Sequence, residues 1–177
     1  MMERAPNELG PMPTARRMRT VDEAVVRAPL GEIFALAADV ESWPRHLSHY
    51  RYVRFRERLP NGGTVEMSAN RPFGPLNWPT WWLSLMEVRD RSIRFRHIGG
   101  VTTHMDVEWS FAPVTGGTRV SVVHVWDGPP WPLIRTIAAR AVIGPVFIHG
   151  IASRTVAGLA RAAEQRQTSS SVPTGAQ

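Results

Sequence analysis

Residues 132–166 read PLIRTIAARAVIGPVFIHGIASRTVAGLARAAEQR. The spacing of their apolar side chains decides the fold. Leu133, Ile134, Ile137, Ala138, Ala141, Val142, Ile148, Ile151, Ala152, Val156 and Leu159 recur at helical intervals, and Arg135, Arg140, Arg154 and Arg161 lie on the other side. The pattern predicts one long amphipathic helix over Pro132–Arg166. Gly144-Pro145 interrupts it, because proline lacks the backbone donor and clashes with the preceding turn, so a kink is expected there. Nearly everything before it reads as strand. A single apolar helix face following a run of strands has one obvious burial partner, the face of a curved sheet.

Working outward, the 177 residues are enough for one domain with a sizeable core. The formal charge is +6, and all 21 basic residues are arginine. That balance suits either an acidic partner or a solvated arginine surface. The arginines are spread over arm, strands and helix with no stacking aromatics between them, which argues against nucleic acid. There is no cysteine, hence no disulfide or thiolate chemistry. No apolar run is long enough to span a membrane and Met1–Thr20 has no signal-type core, so a cytoplasmic protein without membrane contact is expected. Phosphate-binding glycine loops, dinucleotide fingerprints and Gly-x-Ser-x-Gly elbows are missing, and no cofactor is expected. His46 and His49 stand three apart but lack a third ligand, so no metal is assigned.

Residues 1–17, rich in proline, read as a disordered arm, and residues 167–177 as a disordered tail. Between them lies one domain, 18–166. Met18–Arg27 reads as a strand. Pro29 opens a short helix whose buried side is Ile33, Phe34, Leu36 and Ala37. Asp39 is placed as the cap of a second short turn ending at Trp43-Pro44. Tyr50–Leu59 and Thr64–Asn70 form a hairpin through Asn61-Gly62. Arg71–Pro75 reads as a loop, and further strands cover Trp81–Val88, Arg91–His97, Val101–Ala112 and Thr118–Trp126. The order is one strand, two short helices, about six antiparallel strands and one long helix. This is an α+β arrangement with the element order of a helix-grip fold, in which a curved antiparallel sheet wraps the last helix.

Val26-Arg27-Ala28-Pro29, Asp39-Val40-Glu41-Ser42-Trp43-Pro44, and Trp109-Ser110-Phe111 leading to Gly116-Gly117-Thr118 resemble the START-like (Bet v 1-like, SRPBCC) polyketide cyclase family. More narrowly, they resemble its single-domain aromatase/cyclases. The resemblance covers about residues 20–166. It implies an internal cavity between sheet and helix, a polyketide substrate that an acyl carrier protein can deliver, and no cofactor.

Strand alternation supplies the wall of that cavity. Val101, Thr103, Met105, Val107, Trp109 and Phe111 share one face, and Thr102, His104, Asp106, Glu108 and Ser110 the other, solvent-like one. Val120, Val122, His124 and Trp126 lie together, and Ile93, Phe95 and His97 alternate with arginines. The Trp81–Val88 strand is ambiguous by alternation. The resemblance turns Trp82, Ser84, Met86 and Val88 inward. The expected substrate-binding wall is Trp43, Trp82, Met86, Phe95, Met105, Trp109 and Trp126, with Arg71 at the mouth.

The resemblance also makes Tyr50 and Ser84 pocket residues. Ser84 belongs to a Trp-x-Ser-x-Arg segment that here reads Trp82-Leu83-Ser84-Leu85-Met86, so Met86 stands where the family has an arginine. His124 and His97 are the remaining candidates for acid–base work, since burial favours a neutral imidazole base. The expected catalytic set is therefore His124, Tyr50, Ser84 and His97. Two functions follow. One is an aromatase/cyclase directing aldol ring closure and dehydration of a poly-β-ketone, with Arg51, Arg54, Arg56, Arg58, Arg94 and Arg96 offered to an acidic carrier protein. The other is a carrier of hydrophobic lipid-like or quinone-like ligands.

Overall fold

The computed structural model describes residues 8–73, 76–128 and 149–170, with side chains described except at 71–73, 76–78, 149–152 and 168–170. In chain order the elements are β1 (Met18–Val26), α1 (Leu30–Ala38), a 3₁₀ turn (Val40–Ser42), α2 (Trp43–His46), β2 (Tyr50–Leu59), β3 (Gly62–Phe73), β4 (Leu76–Val88), β5 (Ser92–Gly100), β6 (Asp106–Val114), β7 (Gly117–Trp126) and α3 (His149–Ser170). The seven strands form one antiparallel sheet in the order β1-β7-β6-β5-β4-β3-β2. The chain runs down consecutive hairpins from β2 to β7 and closes by laying β1 along β7. The fold is the expected helix grip: short helices follow the first strand, and the C-terminal helix packs on the inner face of the sheet.

Alternation sets which side is which. Val65, Met67 and Ala69 of β3, Trp82, Ser84 and Met86 of β4, Ile93 and Phe95 of β5, Val107, Trp109 and Phe111 of β6, and Val120 and Val122 of β7 are all buried. Apart from Ser84 they belong to one hydrophobic cluster, which includes Val156, Leu159, Ala162 and Ala163 of α3 and Ile33, Leu36 and Ala37 of α1. The ambiguity of β4 is resolved in favour of the inward reading, since Trp82 is 4% exposed and Trp81 53%. α3 comes close to α2, where a Cβ built on Gly158 would lie 2.2 Å from Leu47 Cδ2. Leu159 and Val156 behave as the helical stripe requires. Pro132–Ile148, with the expected kink at Gly144-Pro145, lies outside the described residues.

Several boundaries move for identifiable reasons. β3 and β4 extend through Phe73 and from Leu76, with Arg71 opposite Trp78, where the sequence suggested a loop. The expected loop covered Arg71–Pro75, but proline excludes only its own N–H from the ladder, and the β3–β4 pairing continues past Pro72 and Pro79. Residues 101–105 are a turn and not the start of β6: Gly100 has φ +86° and His104 φ +69°. At Gly100 an added Cβ would lie 2.3 Å from the Trp81 carbonyl oxygen, so only glycine fits. Asp39 makes no side-chain cap; Ser42 Oγ instead donates to the Asp39 carbonyl at 2.7 Å.

Residues 8–17, expected to be a disordered arm, lie along the convex outer face of the sheet. The Leu9 N–H donates to Glu87 Oε2 at 2.9 Å. The Gly10 carbonyl accepts from Arg89 at 2.9 Å and Arg94 at 2.7 Å, and the Leu9 carbonyl from Arg96 at 3.2 Å. Arg16 and the Arg17 N–H both bind Asp127, at 2.6 and 3.0 Å. Proline-rich composition describes a segment with no helical or strand period, but such a segment still docks when charged groups meet its backbone carbonyls.

Candidate functional site

The inner wall is built from β4 and β5 outward. Ser84 faces His97 directly in the register, and Met86 faces Phe95. A register shift between Leu83 and Ser84 turns the strand and sets Trp82 beside the His97 ring. The two rings lie nearly parallel, with centroids 5.9 Å apart and planes at 22°. His97 Nδ1 is hydrogen-bonded to Thr102 Oγ1 at 2.7 Å. Thr102 was expected on the solvent face. The turn at Gly100–His104 folds it inward instead, where it orients the imidazole.

Aromatic rings continue the wall. Tyr50 lies between Trp82, tilted against it with centroids 6.1 Å apart, and Trp43, edge-to-face at 5.3 Å, and Trp43 in turn lies against Phe95 and Trp109. His49 lies against Tyr50, and its Nε2 is 3.1 Å from Thr155 Oγ1, which ties the start of β2 to α3. Trp43 and Trp126 use their indole N–H groups internally, on the Leu36 carbonyl at 3.2 Å and the Thr103 carbonyl at 2.9 Å. They are framework more than free contacts. Met105, from the turn, is buried beside them.

Ser84 is 0% exposed, and its Oγ has no hydrogen-bond partner among the described residues. Two other buried hydroxyls of the β3–β4 pair are satisfied: Ser68 Oγ donates to the Thr80 carbonyl and Thr80 Oγ1 to the Ala69 carbonyl. A buried hydroxyl left without a partner carries its desolvation cost uncompensated, which makes Ser84 a candidate contact on this wall.

The structure brings Tyr50, Trp82, Ser84, Met86, Phe95 and His97 together and sets His124 apart. Met86, Phe95, Val107 and His124 form one continuous row across four strands. His124 thus lies three strands from Met86 and does not occupy the position of a side chain there. His97, opposite Ser84 and diagonal to Met86, is the nearer imidazole. The side chain of Arg71 lies outside the description.

The outer face corrects two expectations. Asp106, read as solvent-like, is buried under Arg96 at 2.9 Å, Arg94 at 3.5 Å and Arg16 at 3.8 Å. Arg94 is 0% exposed beneath the arm, and burial draws its guanidinium below the ordinary range, with Glu108 and Asp106 opposing. Neither Arg94 nor Arg96 is therefore an open docking cation. Arg54 and Arg56 share Glu66, and Arg58 is paired with Glu41. Burial pushes the Glu66 carboxyl up, but hydrogen bonds from Tyr52, Arg54 and Arg56 outweigh it and hold the group below the usual range. The side chains of Arg54, Arg56 and Arg58 nevertheless stay more than half exposed, so the basic row on β2 remains at the surface, while Arg94 is covered and Arg96 is paired with Asp106.

Comparison with known proteins agrees with this architecture. The family model described as polyketide cyclase / dehydrase and lipid transport matches residues 26–146. Among solved structures, the Zhui aromatase/cyclase from Streptomyces sp. R1128 superimposes with a TM-score of 0.72 at 17% identity, covering 84% of this chain and 94% of that one. TTHA0849 from Thermus thermophilus gives a TM-score of 0.66 at 19% identity, covering 87% and 99%. A START superfamily protein from Mycobacterium smegmatis gives 0.62 at 13% identity, covering 83% and 97%. At these identities the likeness is one of fold.

Proposed function

The chain belongs to the polyketide cyclase / dehydrase and lipid transport family, and on that premise we propose that it binds a flat, oxygenated polyketide-type ligand against the inner wall and directs its ring closure. The observation that carries the reading is the fully buried Ser84 hydroxyl, without a partner among the described residues and opposite His97.

An aldol closure needs three events. A C–H proton between two carbonyls is removed, the carbanion adds to a distant carbonyl carbon, and the resulting alkoxide is protonated. Loss of water then gives the aromatic ring. His97 suits the first step if its Nδ1 proton is donated to Thr102 Oγ1, which leaves the lone pair on Nε2. Ser84 Oγ–H suits the second, donating to the carbonyl oxygen as charge builds on it. The imidazolium formed first returns the proton to that oxygen, so the cycle balances without a cofactor. Trp82, Tyr50 and Phe95 supply flat surfaces that hold a flexible chain in one reactive conformer, the largest part of the task for a substrate that is already reactive. Delivery as an acyl chain on an acidic carrier protein, in the cytoplasm, belongs to the same proposal.

A second reading, ligand binding without chemistry, is favoured by Met86, a buried apolar side chain where the resemblance puts an arginine. One experiment separates the two: product profiling of wild type, Ser84→Ala and His97→Gln with a carrier-bound poly-β-ketone. The enzyme reading expects His97→Gln to lower product formation by about 10²–10⁴, with mis-cyclised products rising. Wild-type protein that alters neither rate nor product distribution would sink it and leave the carrier.

A further inference from the structure

Among the described residues, two places on the inner wall carry a buried hydroxyl without a hydrogen-bond partner. The first is Ser84 with His97. The second lies at the opposite side of the sheet, where β1 runs along β7. Thr20 faces His124 in the register, and Asp22 faces Val122, so all three polar groups share the inner face, with Asp22 diagonal to His124. Asp22 is 5% exposed. The Thr20 hydroxyl oxygen is buried and has no hydrogen-bond partner among the described residues, the same condition as Ser84 Oγ.

Between the two places the wall is apolar. Moving from His124 one crosses Val107 and Phe95 to Met86, beside Ser84. Four interstrand steps of about 4.8 Å carry the wall from Thr20 on β1 to Ser84 on β4, roughly 19 Å along the sheet and less across its curve. Two buried donors facing one wall from opposite sides, with hydrocarbon between them, match a ligand of the inverse pattern.

We infer that Thr20, Asp22 and His124 form a second subsite, and that the ligand is an elongated apolar body with a hydrogen-bonding oxygen at each end. This rests on the reading that the wall binds a ligand, and it narrows the class. A row of fused rings or a linear polycarbonyl chain oxygenated at both ends satisfies both subsites. A fatty acid, polar at one end, satisfies one. Asp22 was not singled out from the sequence, where Thr-Val-Asp-Glu reads as ordinary strand polarity. The β1–β7 register is what turns it inward.

The test uses two probes of one shape, 2,6-dihydroxyanthraquinone and 2-hydroxyanthraquinone, titrated into the full chain by quenching of tryptophan fluorescence. The proteins are wild type, Thr20→Val, Ser84→Ala and the double variant, each checked for folding by its thermal transition. Thr20→Val preserves shape and removes only the hydroxyl. Wild type should prefer the dihydroxy probe by about five-fold, the value of one net hydrogen bond. Each single variant should erase that preference, and the double variant should bind both probes more weakly than either single variant. Equal binding of the two probes by wild type, or a preference that survives Thr20→Val, overturns the second subsite while leaving the proposed function standing. Wild type binding neither probe overturns both.

Discussion

Leu9 offers the sharpest test of how the N-terminal segment is held. Its side chain is 6% exposed, and its amide and carbonyl are both engaged by the outer face of the sheet. Leu9→Ala keeps the backbone bonds and removes only the buried side chain. Large-to-small changes of this kind cost about 2–5 kcal/mol, and a segment at the surface can relax, so about 2 kcal/mol is expected. For a chain of this size each kcal/mol lowers Tm by about 2–4 °C, which predicts a fall of about 4–8 °C. Truncation of residues 1–17 should cost at least as much, because it also withdraws the carbonyls of Leu9 and Gly10 from Arg89, Arg94 and Arg96. The assay is thermal unfolding followed by circular dichroism, with Pro11→Ala, at an exposed position, as the control. If Leu9→Ala and the truncation both melt within a degree of wild type, the segment is a free tail and the reasoning fails.

The remaining predictions concern pH, packing and the imidazole. Backbone and side-chain hydrogen bonds from Arg17 and Arg16 hold the Asp127 carboxyl below its ordinary value of 3.8, and for Glu87 the bonds from Arg89 and Leu9 outweigh the upward push of burial and hold it below 4.5. A depressed folded pKa means that docking is fully supported above those ordinary values and is lost as pH falls through the folded ones, so amide protection over residues 9–17 should be flat from pH 7 to about 5 and decline once pH falls below the ordinary values; protection that stays uniform until the whole chain unfolds in acid would refute this. Asp106→Asn should cost about 3–5 kcal/mol, because it leaves the fully buried Arg94 short of its countercharge; chemical denaturation giving a loss below 1 kcal/mol would show that Glu108 suffices. Gly158→Ala should destabilise by about 1–3 kcal/mol despite the better helix propensity of alanine, since the new methyl meets the buried Leu47, and an unchanged melting temperature would mean that Leu47 moves aside. Thr102→Val should lower ligand binding or turnover while costing only about 1 kcal/mol of stability, and a shift in the NMR tautomer signature of His97 would tie the effect to the imidazole; no change in that signature would remove Thr102 from the site.

The helix grip was legible in the chain because its two periods are local properties. Alternation of Val65, Met67 and Ala69, or of Trp109 and Phe111, needs only the strand geometry of the backbone. Val156 and Leu159 need only the turn of a helix. A hairpin such as Tyr50–Leu59 with its Asn-Gly corner is likewise written in consecutive residues. The Trp82 face was not written that way, since Trp81, Leu83 and Leu85 alternate just as well; the resemblance chose correctly where the period could not.

What only the tertiary structure decided was neighbourhood across strands. His97 and His124 look alike in sequence, each on an apolar-patterned strand, yet the register puts one beside Ser84 and the other three strands away beside Thr20 and Asp22. Thr102 and Asp106 looked solvent-facing, but a positive-φ turn drew the first inward and a docked N-terminal segment covered the second. These outcomes depend on which strand pairs with which and on where distant carbonyls come to rest against arginines. Register is set by the sum of the side-chain contacts on a face, and long-range docking by the desolvation of charges, and neither is a property of residues adjacent in the chain.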